Sequence, residues 1–365
     1  MEKFFKNKKV LITGHTGFKG AWLSQTLLNW GADISGIGLL PNTEPSLFST
    51  LKLKPHIKNH FVDIRDFAKV KEVFKKERPE IVIHLAAQPI VRDSYDDPLY
   101  TYSTNVMGMA NLLQSIREVG TPRSVVLITT DKVYENKEWI YPYRETDQLG
   151  GHDPYSASKA SADIIAFSYI RSFFNVENFG DKHNTLIAVA RAGNVIGGGD
   201  WAKYRIVPDI VRYVYEKKQP IIIRNPKAVR PWEHVLEPIS GYLSLAKCLY
   251  EKKKDFVGAW NFGPEASSFV TVKELTENAI KILGKGRIEV QKDNSKHEAH
   301  LLTLDISKVR GLLGWKPTLE FGETIEYTFR WYKNFYEKSG DMVAFTNKQI
   351  DSFFQQKKGR SNVEV

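Results

Sequence analysis

From residue 9 to residue 23 the chain reads Lys9-Val10-Leu11-Ile12-Thr13-Gly14-His15-Thr16-Gly17-Phe18-Lys19-Gly20-Ala21-Trp22-Leu23. The apolar run at 10–13 has the character of a strand buried on both faces, and residues 19–30 carry the pattern of an amphipathic helix. Between them stand Gly14, Gly17 and Gly20. Positions without side chains permit a tight turn there and let backbone approach a pyrophosphate seated at the helix N-terminus. Gly14, Thr16, Gly17, Phe18 and Gly20 are therefore candidate cofactor contacts. His15, inside the same loop, either touches the cofactor or caps the helix.

The strand-then-helix pattern repeats. Strand-like runs at 33–38, 60–63, 81–85, 124–129 and 186–190 alternate with helix-like stretches at 67–76, 98–119 and 155–174. Repeated βα units predict an α/β fold, a Rossmann-type doubly wound parallel sheet covered on both faces. Past Arg191 the pattern loosens, with a glycine turn at Gly197-Gly198-Gly199, a short strand at 220–224, helices at 270–283 and 306–313, and a strand at 259–263 that returns to the sheet. The expected organisation is a dinucleotide-binding domain from 1-193 plus about 234-262. A smaller mixed α/β substrate domain follows from about 194-233 plus 263-345. The remainder, 346-365, reads as a C-terminal tail, with Gln356-Lys357-Lys358-Gly359-Arg360 as its loose end.

Composition narrows the function classes. No run approaches the about 18 consecutive apolar residues of a membrane span, and the basic N-terminus lacks a signal peptide's apolar core. The single cysteine, Cys248, excludes an intrachain disulfide and a thiolate metal cluster, so a cytoplasmic enzyme without a metal is expected. The net charge of +10 is scattered and not interleaved with aromatics as single-strand binding favours. Nucleic acid is therefore not an expected partner; solubility or attraction of an anionic nucleotide explains the charge.

In open α/β sheets ligands bind beyond the carboxyl ends of the strands. Asp63-Ile64, suited to an adenine edge, Leu85-Ala86-Ala87-Gln88, and Thr129-Thr130-Asp131-Lys132 all end strands and face one crevice. Tyr155 and Lys159 lie four residues apart on an expected helix, so both side chains share one face. A lysine ammonium beside a phenol lowers its pKa from about 10 toward neutrality and makes it an acid or base for a hydroxyl. Asn105, within a helix, reads as a buried amide bracing neighbouring backbone.

The runs Thr13-Gly14-His15-Thr16-Gly17-Phe18-Lys19-Gly20, Ala86-Ala87-Gln88-Pro89-Ile90-Val91-Arg92, Thr130-Asp131-Lys132-Val133-Tyr134-Glu135-Asn136, 190–201 and 230–238 together resemble an extended short-chain dehydrogenase/reductase. Over nearly the whole chain the resemblance is to the nucleotide-sugar 4,6-dehydratase branch, in the form that acts on CDP-glucose. It implies NAD as cofactor and oxidation at C4 of the sugar, loss of water across C5 and C6, and reduction at C6. Tyr155 would take the C4 hydroxyl proton, Thr130 would hydrogen-bond the C4 oxygen, and Lys159 would hold the nicotinamide ribose and support the phenolate. Asp131 would protonate the departing C6 hydroxyl, which requires a buried carboxyl that keeps its proton. Where related dehydratases carry a glutamate as C5 base, this chain has Lys132, which is either a neutral base or a charged stabiliser of the enolate.

The resemblance also implies substrate contacts. Arg230 suits a pyrophosphate, which guanidinium grips bidentately, and Asn194 offers its amide to the same group. Gln88, Arg205 and His234 are further candidates, Arg205 and Arg212 being equally readable as surface charges. His234, Glu233 and Trp201 either shape the base pocket or brace the fold. The second strand ends without the acid that usually binds the adenine ribose, so NAD rests on the resemblance and on redox-neutral chemistry. A homodimer, or a tetramer built from it, is implied as well. The competing readings are a dehydratase or epimerase acting on another nucleotide sugar, and an idle NAD-binding scaffold.

Overall fold

The structure, a computed structural model, describes residues 1–291 and 302–361. Its central sheet has seven strands: β1 (Lys9–Thr13), β2 (Asp33–Gly38), β3 (Lys58–Phe61), β4 (Ile81–His84), β5 (Ser124–Ile128), β6 (Leu186–Ala192) and β7 (Gly258–Phe262). They run parallel in the order β7-β6-β5-β4-β1-β2-β3. The direction of winding reverses between β1 and β4, and a crevice opens there at the carboxyl ends of the strands. This is the expected Rossmann-type α/β sheet, with β7 returning to its edge.

Alternation along each strand feeds two cores. Val10 and Ile12 of β1 point into the larger one, Leu11 into the other. Helices α1 (Phe18–Asn29) and α5 (Leu236–Tyr250) contribute to the larger core, while α2 (Phe67–Glu77), α3 (Gly108–Val119) and α4 (Pro154–Ser172) cover the opposite face. Helix α4 starts where it does for local reasons. Asp153 caps it by accepting the Ser156 amide at 2.9 Å, and Pro154 occupies the first turn, a position whose amide needs no partner. That start puts Tyr155 at the crevice.

Two expectations change. The helix expected over 98–119 is broken by a wide π-type turn, Ser103–Met107, between Pro98–Tyr102 and α3. Such turns recur at functional sites, and this one carries Asn105, whose amide accepts from the Gln88 amide at 2.8 Å and donates to Ser158 Oγ at 2.8 Å. The expected tail is instead a helix, Met342–Ser361. It buries Ile350, Phe353 and Phe354, and Phe354 meets Trp30 edge-on at 4.8 Å. Their spacing is helical, but the polar residues between them masked it. Phe353→Ala is expected to destabilise the protein by about 3–5 kcal/mol, read from the denaturant midpoint; an unchanged midpoint would mean the helix is dispensable.

Candidate active site

A cavity of about 1510 Å³ lies beyond the sheet's carboxyl ends. On one side it is lined by Gly14, Thr16, Gly17, Phe18, Gly20, Asp63, Ile64, Leu85, Ala86 and Ala87, and on another by Thr130, Asp131, Lys132, Tyr155 and Lys159. Asn194, Arg205 and Arg230 complete the wall. Nineteen of the twenty-one residues picked from sequence, Gln88 included, face this one space; His15 and His234 do not.

The glycine loop fits a dinucleotide pyrophosphate. Helix α1 starts at Gly17 with no side chain capping its amides, which leaves backbone donors for an anion. Gly20 makes the close turn possible: a Cβ there would lie 2.1 Å from Gly14 O. Gly20→Ala is accordingly expected to weaken cofactor binding at least tenfold, as measured by calorimetry; unchanged affinity would remove the loop from the site. At the end of β2, Leu39 and Leu40 are exposed and Asn42 joins the cavity wall, with no acid in the position usual for a ribose diol. Asp63 lies at the rim, its carboxylate held by Arg65 Nη2 at 2.7 Å.

At the centre, Thr130 donates to Asp131 Oδ1 at 2.8 Å, and Asn194 Nδ2 reaches Asp131 Oδ2 at 3.4 Å. Asp131 is 4% exposed, and Gly193 is what admits it, since a Cβ at Gly193 would lie 2.1 Å from the carboxylate. Lys132 stands on the same turn with its side chain exposed at the cavity wall.

Tyr155 and Lys159 share a face of α4 as expected, but their electrostatics differ from the sequence expectation. Burial pushes the Tyr155 phenol up to about 12; a hydrogen bond with Thr130 and the charge of Arg205 oppose that, while Asp131 and Asp153 add to it. The Lys159 ammonium donates to Ile128 O at 3.0 Å. Burial draws Lys159 down to about 8, against the pull of Asp163 and with the push of Lys19. In the chain alone, desolvation therefore outweighs any support the lysine gives the phenolate.

Two picks lie away from the cavity, and a third lines it with its amide already engaged. His15 is fully buried beneath the loop, with Nε2 3.0 Å from Asn59 Oδ1 and its ring against the space Gly36 leaves open; it neither lines the cavity nor caps α1. His234 is fully buried between Trp22 and Tyr327, so it braces the fold behind the site. Gln88 borders the cavity, but its amide donates to Thr101 Oγ1 at 2.8 Å and accepts from the Ile90 amide at 2.5 Å.

Sequence reading missed a buried ion pair under Lys159. Arg191 Nε donates to Asp163 Oδ2 at 2.6 Å, and Nη1 donates to Tyr134 OH at 2.7 Å. The only local signal was an aspartate one helical turn past Lys159. Glu233, 1% exposed, and Lys19 also influence each other: burial raises the carboxyl and lowers the ammonium to about 8, and the charge of each opposes the other's shift. Among the described residues no cluster of three or more metal-ligating side chains occurs, and no helix is long and apolar enough to cross a membrane.

The model of the family described as GDP-mannose 4,6 dehydratase matches residues 11–328. A CDP-glucose 4,6-dehydratase of Salmonella typhimurium is 44% identical over 96% of this chain and 98% of its own length. A CDP-paratose 2-epimerase of Salmonella typhi is 27% identical over 88% and 98%. Among solved structures, a Thermus thermophilus UDP-glucose 4-epimerase in complex with NAD superposes with a TM-score of 0.75 at 25% identity, covering 89% of this chain and 99% of that one. A Streptomyces venezuelae dTDP-glucose 4,6-dehydratase with NAD bound gives the same TM-score at 23% identity, covering 89% and 97%. By its matched residues and by its likeness to the Salmonella dehydratase along almost the full length of both, the chain belongs to the GDP-mannose 4,6 dehydratase family.

Proposed function

We propose that this chain converts CDP-glucose to CDP-4-keto-6-deoxyglucose and water, with NAD in the glycine-loop half of the cavity. The observation that carries the reading is the linked group of Thr130, Asp131 and Tyr155 on one wall. A 4-epimerase needs a base at C4 but no acid for a leaving group at C6, and Asp131 supplies that acid. The 44% identity to the Salmonella CDP-glucose enzyme supports the choice of base.

When bound, NAD supplies the redox couple that removes a hydrogen from C4 and restores one at C6, so the cofactor is unchanged overall. Tyr155 accepts the proton of the C4 hydroxyl as the ketone forms, with Thr130 hydrogen-bonding the C4 oxygen. The ketone acidifies C5–H; that proton leaves, the C6 hydroxyl departs with a proton from Asp131, and one water is released. Lys159, on the cavity wall, would hold the cofactor ribose. Lys132, exposed beside Asp131, either accepts the C5 proton or stabilises the enolate. Lys132→Ala is expected to slow elimination about a hundredfold while C4 oxidation proceeds, so that the 4-keto glucose nucleotide accumulates; elimination at the wild-type rate would exclude both roles.

Asn194 and Arg230 would hold the pyrophosphate and Arg205, on the same wall, would contact substrate, while the Gln88 amide is engaged by Thr101 and Ile90 and His234 is buried behind the site. The residues 1-193 plus about 234-262 would bind the dinucleotide and 194-233 plus 263-345 the sugar nucleotide. A homodimer through α4 and the helical segment 98–119 suits the exposed Leu99, Met107 and Ile164. The lone cysteine fits a reducing cytoplasmic setting.

The test is a product assay with CDP-, dTDP-, UDP- and GDP-glucose in parallel, with and without added NAD. Loss of one water and a C6 methyl beside a C4 ketone from CDP-glucose alone is the expected outcome. Conversion of another nucleotide in its place would overturn the base assignment, and a 4-epimer of unchanged mass would overturn the dehydration.

A further inference from the structure

We propose that Arg92 and Tyr204 form a gate at the mouth of the cavity that retains the unsaturated sugar intermediate until it is reduced. This rests on the functional reading above and adds to that reaction two residues to which it gives no role.

The two side chains come from separate segments and meet at the rim. Arg92 lies on the helix Val91–Asp96, after β4, and Tyr204 on the loop before the helix Ile206–Val211. The guanidinium carbon is 5.0 Å from the centroid of the Tyr204 ring, within the range at which a cation is drawn to an aromatic face. Both residues line the cavity, and Tyr204 is also 50% exposed. The pair therefore stands between the enclosed space and solvent.

Each half of the contact is mounted on an anchored support. Behind Arg92, the fully buried Ser94 accepts the Tyr155 amide at 3.1 Å and donates to Val91 O at 2.6 Å. The helix that carries the guanidinium is thereby tied to the backbone of the phenol that works on C4. Tyr204 has a left-handed backbone, φ +62°, which is uncommon for a residue with a side chain. The next residue, Arg205, donates to Asp200 Oδ2 at 2.9 Å. The buried Tyr332 hydroxyl accepts the Asp200 amide at 2.9 Å and donates to the Asp200 carbonyl at 2.5 Å. A strained residue beside so firm an anchor holds its ring at a set place. The side chains themselves can part, because a cation–π contact at a partly exposed site is weak enough to open in every turnover.

The chemistry calls for retention. Once the C6 hydroxyl has left as water, the sugar carries a C4 ketone conjugated with a C5–C6 double bond. It still lacks a hydride at C6 and a proton at C5. A sugar that escapes at this stage leaves a reduced cofactor behind and ends that enzyme's cycle.

The experiment counts escapes per turnover in NAD-loaded wild type, Arg92→Gln, Tyr204→Leu and the double variant, with Arg92→Lys and Tyr204→Phe beside them. Escape is read as NADH formed and as a sugar nucleotide lighter than CDP-glucose by one water and two hydrogens. Each single variant should raise it about tenfold, and the double variant no further, because the same contact is lost in all three. Tyr204→Phe keeps the ring face and should match wild type in escape; Arg92→Lys keeps the charge and should fall between. Escape at the wild-type level in either single variant, or effects that add in the double variant, would overturn the proposal. Tyr204→Leu changes a half-exposed side chain and carries the test alone if Arg92→Gln does not fold. A second readout needs no turnover: stopped-flow binding of CDP-glucose to NAD-loaded enzyme in a Tyr155→Phe background. Removing a gate speeds entry and exit together and leaves affinity in place. A faster exit alone, with affinity lost, would make Arg92 a substrate contact and overturn the gate. If these rates change as expected but wild type returns CDP-glucose unconverted, the function fails and the gate stands.

Discussion

Tyr155→Phe is expected to lower the rate of C4 oxidation about a thousandfold while CDP-glucose still binds. The substitution removes one oxygen from a side chain that lines the cavity and leaves the ring's packing in place. No other group that hydrogen-bonds at that wall can take its role: Thr130 donates its hydroxyl to Asp131, and the Lys159 ammonium is engaged by Ile128 O. Burial holds the phenol near 12 in the chain alone. The rate should therefore depend on cations brought to the phenol, and removing the phenol should cost more than removing any one of them. Single-turnover product formation checks the rate and calorimetry the affinity. A variant within tenfold of wild type would remove Tyr155 from the mechanism.

Arg191→Met is expected to cost about 3–5 kcal/mol of stability. Its guanidinium and the Asp163 carboxylate are 1% and 0% exposed as side chains, and the same guanidinium holds Tyr134 OH and Glu145 O. Truncating it strands a carboxylate with no solvent to replace the lost bonds. Removing both charges together, as Arg191→Met with Asp163→Asn, should recover a large part of the loss, because the penalty lies in the unpaired charge. The denaturant midpoint reads both. A midpoint unchanged in the single variant would mean that the pair is solvated or bypassed. Because Asp163 also attracts the Lys159 ammonium, the doubly neutral variant should bind cofactor less well even where its stability has returned.

The sheet was readable because each βα unit announces itself locally. An apolar run, a glycine or polar turn and a helical stripe follow one another four times before residue 193, and right-handed crossovers make such units a parallel sheet covered on both faces. Thr130, Asp131, Tyr155 and Lys159 were readable for the same reason: each sits at a strand end or on one helix face. What sequence left hidden depends on contacts between distant segments. Arg191 reaches from β6 to Asp163 on α4, and the charge of Glu233 acts on Lys19 across more than two hundred residues of chain. Gly193 looks like any turn glycine until the Asp131 carboxylate is found against it. The misplacements are equally physical. His15 and His234 were polar residues inside functional motifs, yet both are packed in aromatic surroundings where burial keeps the imidazole neutral. The direction of the Lys159 ammonium is set by a carbonyl at the end of β5, which spacing along α4 does not reveal.

The central claim is that one bound sugar is oxidised at C4 and reduced at C6 with water lost between. The measurement that tests it most directly is conversion of CDP-glucose carrying deuterium at C4, followed by mass spectrometry and NMR of the product. The account predicts a product lighter by one water, with a C4 ketone and the deuterium in the C6 methyl group. A product of unchanged mass inverted at C4, or a deoxy product that has lost the label to solvent, would contradict it.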